Sequence, residues 1–233
     1  MKKKLIALTG AGISAESGIK TFRDADGLWE GYDVMEVATP QGFKKNPALV
    51  LDFYNQRRKQ LKEVVPNSAH FALKQLELNY EVHIITQNVD DLHERAGSCS
   101  ILHLHGELKK VRSLGYPYKT YNWDNDLTLE DRCENGFGLR PHIVWFGEEV
   151  PALEEAASLI IDTNFVLVIG SSMQVYPAAG LVGLAPKDAQ VFYIDPSPTL
   201  SFELQVRKNL KVMPMKATEG MDEILKILSQ SGN

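Results

Sequence analysis

The strongest constraint in this chain is a short apolar run at residues 5–8, Leu-Ile-Ala-Leu, that stops on Thr9-Gly10-Ala11-Gly12 and continues as Ile13-Ser14-Ala15. A β-rich run feeding a glycine turn and then a helix start is how a parallel strand passes into its crossover helix. The glycines permit a tight turn and let backbone N–H groups approach a pyrophosphate, or simply let strand pack on helix. Four more runs of this kind follow, at 82–85, 101–104, 165–169 and 191–194. Their continuous apolar character suits parallel strands buried on both faces. Between them the spacing predicts helices over 47–61, 67–78 (with Asn67 as a cap) and 221–228. Strands alternating with helices predict a doubly wound α/β sheet.

Two stretches break the alternation, at about 21–65 and 107–139. They read as insertions that form a smaller module over one edge of the sheet. The larger unit then comprises about 1–20, 66–106 and 140–233. The start Met1-Lys2-Lys3-Lys4 has the look of a secretory leader, but the apolar run breaks too soon, and a first strand explains it better. No run of about 18 apolar residues occurs, so no membrane span is expected. Lys plus Arg number 25 and Asp plus Glu 30, a net charge of −5 that argues against nucleic-acid binding. Only Cys99 and Cys133 are present, which excludes a disulfide framework and a four-cysteine zinc site and fits a cytoplasmic setting.

A dinucleotide dehydrogenase needs a second strand ending in an acid about 20 residues after the glycines. Here that region is loop-like and includes Phe22, Arg23, Gly27 and Trp29. The acid at a strand end, Asp195, comes far later, so the pattern favours another use of a nucleotide. The segment Thr86-Gln87-Asn88-Val89-Asp90 follows a strand, where ligands bind in open α/β sheets. Its amides and carboxylate suit ribose hydroxyls and a carboxamide, and Asn88 or Asp90 suits a helix cap equally well. His105, just past a strand, is a candidate proton carrier. His103 would share its face, while His70, His83, His93 and His142 read as structural. Gly170-Ser171-Ser172 allow close approach of a ligand, or only a tight turn.

Together these segments resemble the sirtuin family of NAD-dependent protein-lysine deacylases. The matching blocks are GAGISAESGIKTFR at 10–23, TQNVDDLHERAG at 86–97, LHGEL at 104–108, RPHIVWFGE at 140–148 and GSSMQVYPAAG at 170–180. They run in family order over nearly the whole chain. The resemblance implies a Rossmann-like sheet with a small domain built from the two insertions, and NAD, consumed as co-substrate, in the cleft between them. It places Gly10, Ala11, Gly12, Ser14 and Ala15, with Phe22, Arg23 and Trp29, around the phosphates and nicotinamide side. Gln87, Asn88, Val89 and Asp90 would meet the nicotinamide ribose and carboxamide. Gly170, Ser171 and Ser172 would meet phosphate and ribose, Asp195 the adenosine ribose, and Ala217 the adenine.

An acylated lysine peptide would lie between Val144, Phe146 and Gly147 on one side and Met173 and Val175 on the other, by β-addition. In the family's mechanism the acyl oxygen attacks the anomeric carbon, nicotinamide leaves, and the base, here His105 with Asn88 beside it, deprotonates a ribose hydroxyl. The products are free lysine and O-acyl-ADP-ribose. Relatives that prefer succinyl- and malonyl-lysine carry Tyr-x-x-Arg, matched here by Tyr54 and Arg57, with a small upstream residue, matched by Ala38. Removal of acidic acyl groups is therefore expected, with deacetylation retained. Where relatives hold zinc on four cysteines, Ser113 and Cys133 stand, so a structural zinc is not expected. Tyr116, Tyr118, Tyr121 and Trp123 are expected to hold that module by packing. Mono-ADP-ribosyl transfer and a catalytically silent NAD-binding module are the competing readings. Asn88 and His105 speak against the silent one.

Overall fold

A computed structural model of the chain describes residues 2–20, 28–29 and 31–230. The strands in chain order are β1 (Lys3–Thr9), β2 (Leu28–Trp29), β3 (Tyr32–Asp33), β4 (Tyr80–Thr86), β5 (Ile101–His103), β6 (Gly106–Ser113), β7 (Thr120–Asn122), β8 (Leu139–Ile143), β9 (Phe165–Ile169), β10 (Gln190–Ile194) and β11 (Leu210–Met213). Six form one sheet in the order β11-β10-β9-β1-β4-β5, every pair parallel. This is the doubly wound order in which the chain works outward from β1 on one side, then returns and works outward on the other.

β1 is central, with Ala7 opposite both Ile84 and Leu167. Its residues 5–7 are fully buried, as are residues 166–169 of β9. Side chains on one sheet face pack with Ile13, Leu73, Met221 and Ile224, and on the other with Ala156, Ile160 and Leu181. Both faces are covered, which is why these runs are continuously apolar rather than alternating. Burying each Leu or Ile fully contributes about 1.5–3 kcal/mol relative to exposure.

The helices are α1 (Ala11–Ala15), α2 (Val34–Val37), α3 (Pro40–Lys45), α4 (Pro47–Glu63), α5 (Ser68–Leu76), α6 (Leu92–Arg95), α7 (Leu153–Ile160), α8 (Phe202–Gln205) and α9 (Ala217–Gln230), with a 3₁₀ turn at Ala178–Leu184. α4 begins on Pro47 with Asn46 capping the Leu49 N–H. α5 opens on a reciprocal box between Asn67 and His70. Both starts are the ones their sequence signals announce.

β6, β7 and β8 make a separate antiparallel sheet in the order β7-β6-β8. With α2 and α4 it encloses a second core around Val37, Phe53, Tyr54, Leu108, Ile143 and Trp145. β8 pairs with β6, so residues 139–143, most of which the sequence suggested belonged to the larger unit, join the smaller sheet. Among the described residues, no helix is long and apolar enough to cross a membrane.

The module without four cysteines is held by a different device. Ser113 Oγ accepts the N–H groups of Gly115 and Tyr116, both at 3.2 Å, and lies 3.4 Å from Cys133 Sγ. Two tight turns thus face each other across a hydroxyl–thiol hydrogen bond. Tyr116 packs edge-on against Phe137, and Tyr121 and Trp123 pack on the cluster of Leu51, Val111, Leu127, Cys133 and Leu139. Tyr118 does not share this work. It is 94% exposed.

Candidate active site

The carboxyl ends of β1, β4 and β9 meet at the point where the sheet order reverses. Gly10 and Gly12 follow β1 and Gly170 follows β9. A Cβ on Gly12 would sit 2.5 Å from Gly170 Cα, and Gly170 itself has φ +60°. The two turns touch backbone to backbone, which only glycine permits. The N–H groups of Gly10 and Gly12 are spent on the carbonyls of Ile169 (3.0 Å) and Gly170 (2.8 Å). Closeness is therefore what these glycines provide. α1 is a single turn of five residues, so its dipole adds little.

The loop after β4 is tied to this turn by buried polar groups. Asn88 Nδ2 donates to the Gly10 carbonyl and to Ser14 Oγ, both at 3.1 Å. Ser14 Oγ donates to Asp90 Oδ2 at 3.0 Å, and Asp90 Oδ1 accepts the Leu92 N–H at 3.1 Å. Asp90 thus opens α6 and joins the network at once. Its burial pushes the carboxyl pKa up, against the hydrogen bonds from Leu92 and Ser14. Gln87 Nε2 donates to Ser171 Oγ at 3.0 Å, linking the β4 and β9 loops. Asp195, at the end of β10, is buried and accepts the Ser197 N–H at 2.9 Å. Ala217 is buried at the start of α9. Ser172 follows Ser171 in the same loop. Phe22 and Arg23 lie outside the described residues, and of Trp29 only the backbone, in β2, is described.

Two histidines dock on consecutive carbonyls of the β4 loop. His105 Nδ1 donates to the Gln87 carbonyl at 3.1 Å, and His103 Nδ1 to the Asn88 carbonyl at 3.0 Å. A carbonyl only accepts, so each Nδ1 carries a hydrogen. Their other nitrogens differ. His103 Nε2 faces Glu94 Oε1 at 2.7 Å. Burial opposes its charge, but Glu94, the Asn88 carbonyl and Glu107 together outweigh burial, and the His103 pKa is raised. Burial lowers that of His105, only partly offset by Gln87. His105 is thus the neutral imidazole with its lone pair on Nε2. Glu94, His103 and Glu107 lie close enough to share a metal ion, yet Glu94 is matched by His103 and Glu107 by Lys110 at 2.7 Å.

On α4, Tyr54 and the two arginines have different partners. Arg58 is buried and structural. Its Nε donates to the Leu108 carbonyl at 3.0 Å and its Nη1 to Asn55 Oδ1 at 2.7 Å. Arg57 Nε and Nη1 are buried and have no hydrogen-bond partner among the described residues. Arg57 lines a small cavity with Ile19, Leu61, Val89, Asp90 and Leu108. Tyr54 is fully buried, its hydroxyl oxygen accepting from Trp145 Nε1 at 2.9 Å. Ala38 is buried in the same cluster.

The segment after β8 docks inward. The Val144 N–H donates to the His105 carbonyl and the Phe146 N–H to the Ala38 carbonyl, both at 2.9 Å. Gly147 has φ +87°. Met173 is buried with φ +54°, and Val175 offers its carbonyl to the Ala179 N–H at 2.9 Å.

Residues 10–177 match the model of the Sir2 family. The chain belongs to the Sir2 family. A Helicobacter pylori (strain J99) protein named NAD-dependent protein deacylase is 58% identical over 96% of this chain and 94% of its own. A Bacteroides thetaiotaomicron protein of the same name is 49% identical over 97% of this chain and 98% of its own. The crystal structure of a Sir2 homolog–NAD complex superposes with a TM-score of 0.87 at 38% identity, covering 99% of this chain and 91% of that one. A structure described as Sir2 bound to acetylated peptide superposes with a TM-score of 0.80 at 28% identity, covering 98% of this chain and 94% of that one. Within this Sir2 chain, one cluster escaped sequence reasoning. Arg112, Arg140 and Glu148 form a partly buried ion network behind the Val144–Gly147 segment. Two arginines some 30 residues apart and a glutamate in a loop give no periodic signal. Only the pairing of β6 with β8 brings them together.

Proposed function

We propose that this chain is an NAD-dependent protein-lysine deacylase that removes succinyl and malonyl groups, and acetyl groups as well, from lysine side chains. The products are free lysine, nicotinamide and O-acyl-ADP-ribose. The smaller module and the parallel sheet form the two walls of the cleft. The residues at the sheet's switch point suit NAD. Gly10 and Gly12 let the β1 and β9 turns meet backbone to backbone, and Ser14, Gln87, Asn88, Asp90 and Ser171 converge beside that contact. In this reading they hold the ribose and carboxamide, with Ser172, Asp195 and Ala217 toward the adenosine end. When bound, NAD supplies a ribose carbon carrying nicotinamide as leaving group.

The chain's own residues supply the rest. His105 takes up a proton at Nε2 while the Gln87 carbonyl holds its Nδ1–H and fixes the ring. Asn88 is fixed by Gly10 and Ser14 and orients the sugar. The peptide lies between 144–147 and 173–175. Since the Val144 and Phe146 N–H groups are committed inward, it is received on that side largely through the protein's carbonyls.

The observation that carries the acyl preference is Arg57, with two buried N–H groups unpartnered among the described residues in a cavity shared with Val89 and Asp90. A carboxylate at the tip of a succinyl chain would satisfy both. An acetyl group offers nothing to them. A succinyl-lysine peptide with NAD should yield free lysine peptide and O-acyl-ADP-ribose. Arg57→Met should cut kcat/KM for the succinyl peptide about 10–100-fold, the scale of a charge-assisted hydrogen-bonded pair, and that for the acetyl peptide far less. Equal losses on both peptides refute the carboxylate receptor. ADP-ribose appearing on protein, with no deacylated peptide, points to transfer instead.

A further inference from the structure

Trp145 sits in the segment expected to receive the peptide, yet its side chain is only 2% exposed and turns inward. Its indole N–H donates to the Tyr54 oxygen at 2.9 Å. Its backbone N–H donates to Glu148 Oε2 at 2.8 Å. The Arg140 guanidinium lies over its ring, 3.4 Å from the centroid. That same guanidinium grips both oxygens of Glu148, at 2.7 and 3.0 Å, and Arg112 adds a third contact at 2.9 Å. Both arginines also donate to the Ile143 carbonyl at 2.9 Å. The ring is thus pinned by a bidentate ion pair on one face and by Phe43, 5.2 Å away between centroids.

The chain of contacts runs from Glu148, in the peptide-receiving loop, through Arg140 and Trp145 to Tyr54. Tyr54 precedes Arg57 by one helical turn on α4, so the two share a face. We propose that Trp145 is a positioning residue that sets acyl selectivity: clamped by Arg140 and Glu148, it fixes the Tyr54 oxygen and so couples the segment that receives the peptide to the pocket that receives the acyl chain. The inference rests on the reading of Tyr54 and Arg57 as the acyl end of the site. It assigns to three residues outside that pair a part in choosing the substrate.

The coupling has a physical basis. The indole N–H of Trp145 is a buried donor on the phenol oxygen and helps fix its place. Losing that donor lets the ring and hydroxyl shift against a ligand whose carboxylate needs a fixed partner. Trp145→Phe removes the indole N–H and the smaller of its two rings while keeping a six-membered aromatic ring under Arg140. Tyr54→Phe removes the same bond from the other side.

The test compares Trp145→Phe, Tyr54→Phe and the double variant on succinyl- and acetyl-lysine forms of one peptide at saturating NAD. Each single change should lower the succinyl-to-acetyl ratio of kcat/KM about fivefold, the worth of one net hydrogen bond, chiefly through the succinyl KM. The double variant should lower it no further than Tyr54→Phe alone, because both remove one shared contact. Arg140→Lys breaks the bidentate grip on Glu148 and should move the ratio the same way, which keeps the test open if Trp145→Phe does not fold. A clamp that only stabilises the fold lowers both peptides alike. An unmoved ratio, or full additivity in the double variant, overturns the inference. Wild type and Arg57→Met in the same series test the reading beneath it. If the ratio ignores Arg57 but follows Trp145, the carboxylate receptor fails and the clamp stands.

Discussion

His103 and His105 are two residues apart, dock on neighbouring carbonyls and are shifted in opposite directions. Glu94 against Nε2 holds His103 toward the charged form, while burial holds His105 toward the neutral one. A base must have its proton absent before it acts, so only His105 is ready for that work at neutral pH. His105→Ala should lower turnover about 10²–10⁴-fold and leave NAD binding measurable by titration calorimetry. The sign of the pH effect follows from the lowered pKa. The inactive imidazolium accumulates only as pH falls through that lowered value, so kcat/KM should stay flat through the ordinary imidazole range and decline below it. A profile from pH 5 to 9 with its acid limb at or above the ordinary value would contradict the assignment. The local sequence distinguishes these histidines only by their nearness to the loop. The deciding partner, Glu94, lies on α6 and is invisible until the strand and helix are placed together. The same holds for Arg57 and Arg58. Adjacent in sequence, Arg58 is bound to Asn55 and the Leu108 carbonyl, while Arg57 stacks on Phe53 and its Nε and Nη1 have no hydrogen-bond partner among the described residues.

At the scale of elements, helix starts were plain in the sequence where a cap announced them, as at Asn67 before α5. β11, α7 and the 3₁₀ turn were not, because short or weakly periodic segments owe their form to packing on the sheet. α5 and α6 meet through two buried imidazoles. His70 and His93 are 4.9 Å apart between ring centroids, and His93 Nε2 shares a hydrogen bond of 3.1 Å with the Thr9 hydroxyl. His70 Nε2 and His93 Nδ1 find no partner among the described residues. Burial pushes the pKa of His70 down to about 4 and that of His93 well below its ordinary value, with the positive field of His70 adding to the latter. Both are held neutral in the fold. In the unfolded chain each takes up a proton near pH 6.5. Their contribution is complete above that value and is lost as pH falls toward and through the folded one. For His70 alone the loss is about 3 kcal/mol between pH 6.5 and 4. Urea midpoints should fall steadily across that interval, and His70→Gln should flatten the slope. A midpoint independent of pH there would show that neither imidazole is held neutral by the fold.

For the whole molecule, continuous apolar strands alternating with helices were enough to give a doubly wound sheet. The strand order was out of reach, because nothing local says that β9 returns to the far side of β1. The smaller sheet was equally hidden: β6 and β8 pair across more than 20 intervening residues, and β8, with Arg140, Pro141 and His142 in its middle, gives no apolar run to announce a strand. What the order accomplishes is to bring Gly12 against Gly170, two residues 158 positions apart. Their contact closes the two turns on each other, and the β4 loop that carries Asn88 and Asp90 is tied to the same place through Gly10 and Ser14. Gly12→Ala tests whether this contact sets the site. The added methyl would stand 2.5 Å from Gly170 Cα and 2.9 Å from its oxygen, and neither neighbour is a flexible side chain that can swing away. The β1 and β9 turns must therefore separate, stretching the 2.8 Å bond from the Gly12 N–H to the Gly170 carbonyl. Overpacking of this kind costs about 1–3 kcal/mol, readable as a fall in the urea midpoint. Because Asn88 Nδ2 also holds the Gly10 carbonyl, the shift should pass to the β4 loop, and the NAD dissociation constant should rise at least about tenfold, the equivalent of some 1.4 kcal/mol. A variant that loses stability but binds NAD as tightly as before would confine the contact to holding the sheet together and would separate the architecture of the switch point from its chemistry.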